Sequence, residues 1–153
     1  MTAKECFFCR FLAGEESKWN READVVLRTV RVTAFVSPRR WPANPGNVIV
    51  IPNEHVVDLE SIDDALLGDV YAAAKQVAIA MRIAYRCEGT STRQHNGAGA
   101  GQEVDHLHVH VFPRYADDGL YVRDAEYRFA PPEERRPHAD ELRAALEGRT
   151  HVV

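Results

Sequence analysis

Three histidines occupy alternate positions within five residues of this chain, at His106, His108 and His110. The residues between and after them are apolar, so the stretch predicts a β-strand whose successive side chains point to opposite faces. One face would then carry a row of three imidazoles, with neighbouring rings roughly 6.5–7 Å apart. Because the unperturbed pKa of imidazole is about 6.5, such a row can bind phosphate, hold a proton, attack phosphorus or ligate a metal. The alternative is a half-buried strand with a merely polar outer face.

A second candidate site is the Cys-x-x-Cys pair formed by Cys6 and Cys9, two of the three cysteines in the chain. In a reducing compartment this spacing favours metal or redox chemistry over a structural disulfide. The alternative is two ordinary buried thiols beside Phe7 and Phe8. Cys87 has no partner in the sequence, and we expect it to be buried at a helix end.

The composition narrows the classes of partner. A chain of 153 residues with a formal net charge of −4 is expected to form one domain, and it has no basic block that would grip a nucleic-acid polymer. No apolar run approaches the roughly 20 residues that span a membrane. The first residues lack the apolar core of a signal peptide, so we expect a cytoplasmic protein.

The pattern along the chain predicts a mostly antiparallel α+β domain of about five strands. A short helix is expected near the Cys-x-x-Cys pair, and an apolar stripe at helical spacing predicts a long helix over residues 63–85. Three prolines predict that residues 37–46 form a loop. The polar tail is expected to contain only a short helix over residues 140–146. The predicted strands are residues 25–28, 32–36, 47–52, 90–95 and the histidine run.

The histidine run, His106-Leu107-His108-Val109-His110-Val111-Phe112, resembles the signature of the histidine-triad (HIT) superfamily. Gly101-Gln102 and residues 45–55 resemble two further blocks of that superfamily, and Cys6-Phe7-Phe8-Cys9 is similar to the opening of its zinc-containing bacterial members. The resemblance covers residues 6–115 and implies a HIT-like fold. It divides the chain into a HIT domain at residues 1–115 and an extension at residues 116–153, packed on the same domain or on its partner in a homodimer.

The resemblance also implies a nucleotide substrate and a mechanism. His108 would attack the α-phosphorus and form a covalent phospho-histidine, which water would then hydrolyse to release a nucleoside monophosphate. His110 would donate a hydrogen bond to a non-bridging oxygen or to the leaving group. A histidine in this third place favours hydrolysis over transfer to a second substrate. The expected substrate is a nucleoside phosphoramidate or a dinucleoside polyphosphate.

Two other functions remain open at this point. The chain could be a nucleotide-binding module with little or no turnover. It could also be a zinc hydrolase in which all three histidines bind one ion, although alternate residues of one strand reach a single ion poorly. The resemblance instead assigns a structural zinc, the expected cofactor, to Cys6, Cys9, His55 and His106. Because these four would complete a tetrahedron, the ion would not act on the phosphate.

The chain departs from the superfamily pattern at several expected substrate contacts. Asn47 stands where most members have a histidine. Glu103 stands where Ser or Thr is usual, and its carboxylate would repel an anion unless it points away or pairs with a cation. Arg39, Arg40 and Trp41 either face solvent and pack locally or meet a base or phosphate. The expected substrate-binding residues are Ser37, Asn47, His95, Asn96 and Gln102.

Overall fold

An antiparallel sheet of five strands in the order β1-β2-β4-β6-β5 forms the centre of the fold. The computed structural model describes residues 2–150. Short 3-10 turns lie at residues 22–24, 98–100 and 124–126. The elements in chain order are α1 (Phe7–Leu12), β1 (Val25–Arg28), β2 (Val32–Val36), β3 (Arg39–Arg40), β4 (Val48–Pro52), α2 (Asp64–Ala84), β5 (Gly89–Arg93), β6 (Val109–Arg114), β7 (Arg128–Phe129) and α3 (Pro132–Thr150).

The two faces of the sheet have different coverings. On one face, Leu107, Val109 and Val111 join the main hydrophobic core beneath α2. On the other face, a second apolar cluster that includes Phe8 of α1 and Phe35 of β2 leaves room beside the histidine row. The alternation in the histidine run therefore separates the core from the site.

The long helix agrees closely with the sequence prediction. Asp63 caps α2 by accepting a hydrogen bond from the backbone N–H of Leu66 at 3.1 Å, and Tyr85 forms the C-cap. The five-stranded sheet, α1 and α2 together confirm the predicted α+β fold. No helix within residues 2–150 is both long enough and apolar enough to cross a bilayer.

Two segments differ from the prediction by more than their end residues. The segment 37–46 is not only loop, because β3 lies within it and pairs with β7 of the tail to form a small second sheet. The histidine strand begins at Val109 rather than His106. Here the backbone N–H of Leu107 instead donates to the carbonyl of Val56, at 2.7 Å, in the loop after β4. Both contacts join segments far apart in sequence, which local patterns do not report.

The helix of the tail is also longer than predicted, since α3 runs from Pro132 to Thr150 rather than over residues 140–146. A proline is well suited to the first position of a helix, and Pro137 follows only five residues later. Pro137 cannot donate the usual helical backbone hydrogen bond, yet the helix continues to Thr150. Ala139 and Leu142 are buried in the main core of this chain.

Candidate active site and metal cluster

A cavity of about 670 Å³ opens on the face of the sheet that carries the histidine row. This volume lies within the range of roughly 300–1,000 Å³ that is usual for small-molecule sites. Its wall combines aromatic rings, two arginines (Arg39 and Arg93) and three histidines (His95, His108 and His110). The lining residues used below are Phe7, Phe8, Trp19, Asn20, Ser37, Arg39, Trp41, Ile49, Arg93, His95, Glu103, His108, His110, Asp124, Tyr127 and Phe129.

His108 is held with one ring nitrogen bonded to the backbone. Its Nδ1 lies 2.8 Å from the carbonyl oxygen of His106. Because a carbonyl only accepts, Nδ1 carries the proton and Nε2 keeps its lone pair. Burial lowers the pKa of His108, although the bond to the His106 carbonyl partly opposes this effect. The ring is therefore neutral near neutral pH, which is the nucleophilic form.

His110 lies beside His108 in a more enclosed place. The two ring centroids are 5.3 Å apart, closer than predicted, and the rings meet edge to face. His110 also stacks on Phe112 with centroids 5.6 Å apart. Burial, followed by the influence of His108 and Arg93, lowers its pKa well below the usual value. His110 is thus a neutral hydrogen-bonding group rather than a cation.

Arg39 brings a positive charge to the cavity wall and forms an ion pair with Glu103. Its guanidinium also lies 4.6 Å from the ring centroid of Tyr127. The carboxylate of Glu103 is therefore neutralised by a cation. Arg40 points elsewhere, since it pairs with Glu134 at 3.0 Å and does not line the cavity.

Arg93 brings a second positive charge to the same wall. It donates to Asp124 at 2.7 Å and lies over the rings of Trp41 and Phe112, at 5.2 and 5.0 Å. The indole N–H of Trp41 donates to the backbone carbonyl of Asp124 at 3.0 Å. These contacts fix the orientation of Arg93 before any ligand arrives. The cavity can therefore bind an anion close to two neutral imidazoles.

Cys6, Cys9, His55 and His106 converge beside α1, with their four ligand atoms all within 4.8 Å of one another. Cys9 Sγ lies 3.2 Å from His55 Nδ1 and 3.5 Å from His106 Nδ1, and Cys6 Sγ lies 3.4 Å from His106 Nδ1. A tetrahedral zinc ion with usual bond lengths requires sulfur–nitrogen separations of about 3.5 Å. The spacing of this cluster therefore fits zinc.

The protonation of the cluster also fits a cation. His106 Nε2 lies 2.9 Å from the carbonyl oxygen of Pro52 and must donate to it, so Nδ1 faces the thiols with its lone pair. Burial lowers the pKa of His106 to about 4, which keeps the ring neutral. Burial and the neighbouring Cys6 raise the pKa of the Cys9 thiol to about 12. A divalent cation would supply the charge that lets both thiols ionise.

The expected substrate-binding residues fall into two groups. Ser37 and His95 line the cavity, whereas Asn47, Asn96 and Gln102 do not. The Gln102 side chain accepts a hydrogen bond from the Gly97 N–H at 2.7 Å and donates to two backbone carbonyls. It therefore stabilises the glycine-rich turn that begins at Gly97. Asn96 accepts from the backbone N–H of Leu59 at 2.8 Å. Asn47 is buried, and its amide has no hydrogen-bond partner among the described residues.

Several lining residues carried no signal in the sequence. Trp19, Asn20 and Arg93 lie in segments without a motif, and Asp124, Tyr127 and Phe129 belong to the tail. Trp19 and Phe129 meet with ring centroids 4.3 Å apart, which joins the tail to the segment after α1. The tail of this chain therefore forms part of the wall of its own cavity.

Comparisons with known proteins agree with this geometry. The chain is 32% identical over 124 residues to an uncharacterized HIT-like protein of Methanocaldococcus jannaschii, covering 80% of this chain and 89% of the relative. It is 30% identical over 115 residues to the asymmetrical bis(5′-nucleosyl)-tetraphosphatase of Schizosaccharomyces pombe, covering 75% of this chain and 58% of the relative. The crystal structure of a zinc-bound histidine triad family protein from Mycobacterium smegmatis superposes with a TM-score of 0.82 at 25% identity, covering 99% of this chain and 100% of that one.

A family profile described as the HIT domain matches residues 18–117, which contain both the histidine row and all five strands of the main sheet. With this match and these relatives, the chain belongs to the HIT family.

Proposed function

We propose that this protein is a nucleotide hydrolase that cleaves at the α-phosphate of a nucleoside phosphoramidate or a dinucleoside polyphosphate. The observation that carries the proposal is the tautomer of His108, whose Nδ1–H is held by the His106 carbonyl at 2.8 Å. This bond leaves a lone pair on Nε2 of a residue that lines the cavity. The relative from S. pombe, named as a bis(5′-nucleosyl)-tetraphosphatase, supports a phosphoanhydride as one reacting group.

The proposed reaction has two steps. In the first, His108 Nε2 forms a bond to the α-phosphorus, the bond from phosphorus to the leaving group breaks, and the leaving group takes a proton from solvent. In the second, the oxygen of a water molecule bonds to phosphorus, the bond to Nε2 breaks, and the water gives up a proton to solvent. Two such displacements replace a single difficult one.

The other groups in the cavity would stabilise the charge that develops on the phosphoryl oxygens. His110 is neutral and adjacent to His108, so it can donate one hydrogen bond without repelling Arg93. Arg39 and Arg93 are held in place by carboxylates and aromatic rings. Fixed donors and charges of this kind usually contribute the largest share of catalysis in phosphoryl transfer.

The proposal is tested by comparing His108→Gln with a matched control, His138→Gln. His138 lies on α3 against Tyr85 and does not line the cavity. We expect the wild type and His138→Gln to cleave adenosine phosphoramidate or diadenosine tetraphosphate and to release AMP. His108→Gln should lose at least about a thousandfold in kcat/KM, as is common when a nucleophile is removed. A quenched reaction should contain phospho-His108 by mass spectrometry, and full activity of His108→Gln would refute the mechanism.

We also propose that Cys6, Cys9, His55 and His106 hold a structural zinc ion. The match of the ligand spacing to a tetrahedron supports this, as does the zinc-bound relative from M. smegmatis. All four positions would come from the protein, so the ion would tie α1 to the segment before β6 and would take no part in the chemistry.

Metal analysis of the purified protein tests the zinc proposal. We expect about one zinc ion per chain in the wild type, and much less in Cys9→Ser. Cys87→Ser is the matched control, because Cys87 is buried in the main core, away from the cluster, and the substitution should leave the zinc content unchanged. Equal zinc content in all three proteins would exclude this cluster as the site.

A nucleotide-binding module without turnover is the second candidate, because Asn47 stands where most members of the family have a histidine and does not line the cavity. It predicts that AMP binds and raises the melting temperature while no substrate is cleaved. Detection of phospho-His108 would exclude it.

The domain boundary at residue 115, the homodimer and the cytoplasmic location stay predictions.

A further inference from the structure

Asn20 is a polar residue of the cavity wall whose side-chain hydrogen bonds the fold does not supply. It is 1% exposed, and neither Oδ1 nor Nδ2 has a hydrogen-bond partner among the described residues. The backbone N–H and carbonyl of Asn20, in contrast, both have hydrogen-bond partners. The Asn20 N–H donates to Ser17 Oγ at 3.3 Å, and the Asn20 carbonyl accepts from the Ser17 N–H at 2.9 Å. The turn therefore holds the side chain in place while its amide stays unpaired.

An unpaired buried amide costs free energy, so its presence requires an explanation. Because Asn20 lines the cavity, its position suggests that a bound ligand supplies the missing hydrogen-bond partners. A primary amide offers a donor and an acceptor side by side in one plane. The edge of adenine offers the complementary pair, namely its 6-amino group and the neighbouring ring nitrogen.

The cavity that Asn20 lines also contains apolar residues that suit a flat, apolar group. Phe7, Phe8 and Ile49 line the same cavity, and the ring of the adjacent Trp19 packs on Phe129. Nucleobases are bound in proteins by such apolar and aromatic walls. The cavity thus contains groups suited to a base in addition to the imidazoles and arginines suited to a phosphate.

We propose that Asn20 recognises the base of the bound nucleotide through two hydrogen bonds to an adenine edge. The inference rests on the nucleotide binding of the proposed function and is independent of hydrolysis. Guanine presents two acceptors, N7 and O6, where adenine presents an acceptor and a donor, so the amide pairs less well with that edge. Asn20 is therefore a specificity-determining residue and not a catalytic one.

The test compares the binding of AMP with that of purine riboside 5′-monophosphate, which lacks only the 6-amino group, by isothermal titration calorimetry. We expect the wild type to bind AMP about five to ten times more tightly, the usual effect of one net hydrogen bond. Asn20→Leu, which has a similar volume and no polar group, should bind the two nucleotides equally. Asn20→Asp, which lacks the donor, should bind AMP about tenfold more weakly. Gln76→Leu on the exposed face of α2 is the control and should keep the preference for AMP.

The outcomes separate this inference from the proposed function. If the wild type binds both nucleotides equally while hydrolysis dependent on His108 persists, the role of Asn20 is refuted and the hydrolase proposal stands. If the wild type prefers AMP, Asn20→Leu loses that preference and neither protein cleaves a substrate, the hydrolase proposal fails and the role of Asn20 stands. If Asn20→Leu keeps the preference, the role of Asn20 is refuted. Absence of nucleotide binding refutes both.

Thermal unfolding adds a readout of any structural role. Asn20→Leu removes two unpaired buried polar atoms, so its melting temperature should equal or exceed that of the wild type. A lower melting temperature together with an unchanged preference for AMP would show that the amide serves the fold, and it would overturn the inference.

Discussion

The ion pair between Asp24 and Arg135 anchors the tail to the domain, and its removal allows a quantitative test. Both side chains are 1% exposed. Arg135 donates to the two carboxylate oxygens of Asp24 at 3.0 and 2.8 Å, and to the backbone carbonyls of Ala130 and Lys18 at 2.7 and 3.2 Å. The guanidinium is therefore surrounded by acceptors from three segments, with Asp24 as the only carboxylate among these acceptors.

The substitution Asp24→Asn keeps the shape of the side chain but leaves the charge of Arg135 buried without its counterion. Breaking a buried ion pair in this way costs about 3–5 kcal/mol of the free energy of unfolding. For a chain of this size, each kcal/mol corresponds to about 3 °C in melting temperature. We therefore expect the melting temperature to fall by about 10–15 °C, as measured by circular dichroism.

Two further variants make the test specific. The double variant Asp24→Leu with Arg135→Met removes both charges, and it should recover most of the loss because neither charge remains buried alone. Arg136→Met is the matched control. The Arg136 side chain is 72% exposed, and its nitrogen lies as far as 4.0 Å from the carboxylate of Asp140. Loss of this weak pair should therefore change the free energy of unfolding by less than about 0.5 kcal/mol. A fall of under about 3 °C for Asp24→Asn would refute the premise that water is excluded from this pair.

Three other measurements test the structure. The Arg114 guanidinium holds the pKa of Asp118 well below its usual value, so the carboxylate stabilises the fold above about pH 4, and that contribution is lost as the pH falls through the folded-state pKa. Asp118→Asn should thus lose about 2–4 kcal/mol at pH 7 and a smaller amount at pH 3 in thermal unfolding, and a pH-independent loss would contradict this. Gly46 has a φ of 78°, and an added Cβ would lie 2.5 Å from Tyr85 Oη. Gly46→Ala should therefore cost about 2–4 kcal/mol in urea unfolding, against about 1 kcal/mol for Gly14→Ala, where φ is 95° but no atom lies within 4 Å. A strong chelator should lower the melting temperature of the wild type but not that of Cys9→Ser, and an equal effect on both would contradict the zinc proposal.

The histidine row and the long helix could be predicted because each depends on a local period. Alternation assigns Leu107 and Val109 to the core and the imidazoles to the opposite face, whichever strands lie on either side. The cap at Asp63 and the apolar stripe after it define α2 within one residue at each end. The Cys-x-x-Cys pair could likewise be recognised as a possible ligand set, although its histidine partners came from the resemblance.

The remainder of the cavity could not be predicted, because its residues meet through contacts between distant segments. Glu103 is 64 residues from Arg39, and no pattern at either position reports that they pair. Three prolines in residues 131–137 suggested a largely irregular tail, yet Arg135 and Leu142 stabilise a helix that places Phe129 over Trp19. Asn20 has an ordinary sequence environment, and only its burial without a partner distinguishes it.

Local patterns were enough to predict the strand that carries the imidazoles, the face to which they point and the pair of thiols near the N-terminus, since side-chain periodicity and short spacings act within a few residues. The tertiary structure was needed to show which nitrogen of His108 keeps its lone pair, how Glu103 is neutralised and what forms the far wall of the cavity. Those features depend on single hydrogen bonds and ion pairs between residues from 2 to more than 100 positions apart, and their formation depends on the packing of the whole chain.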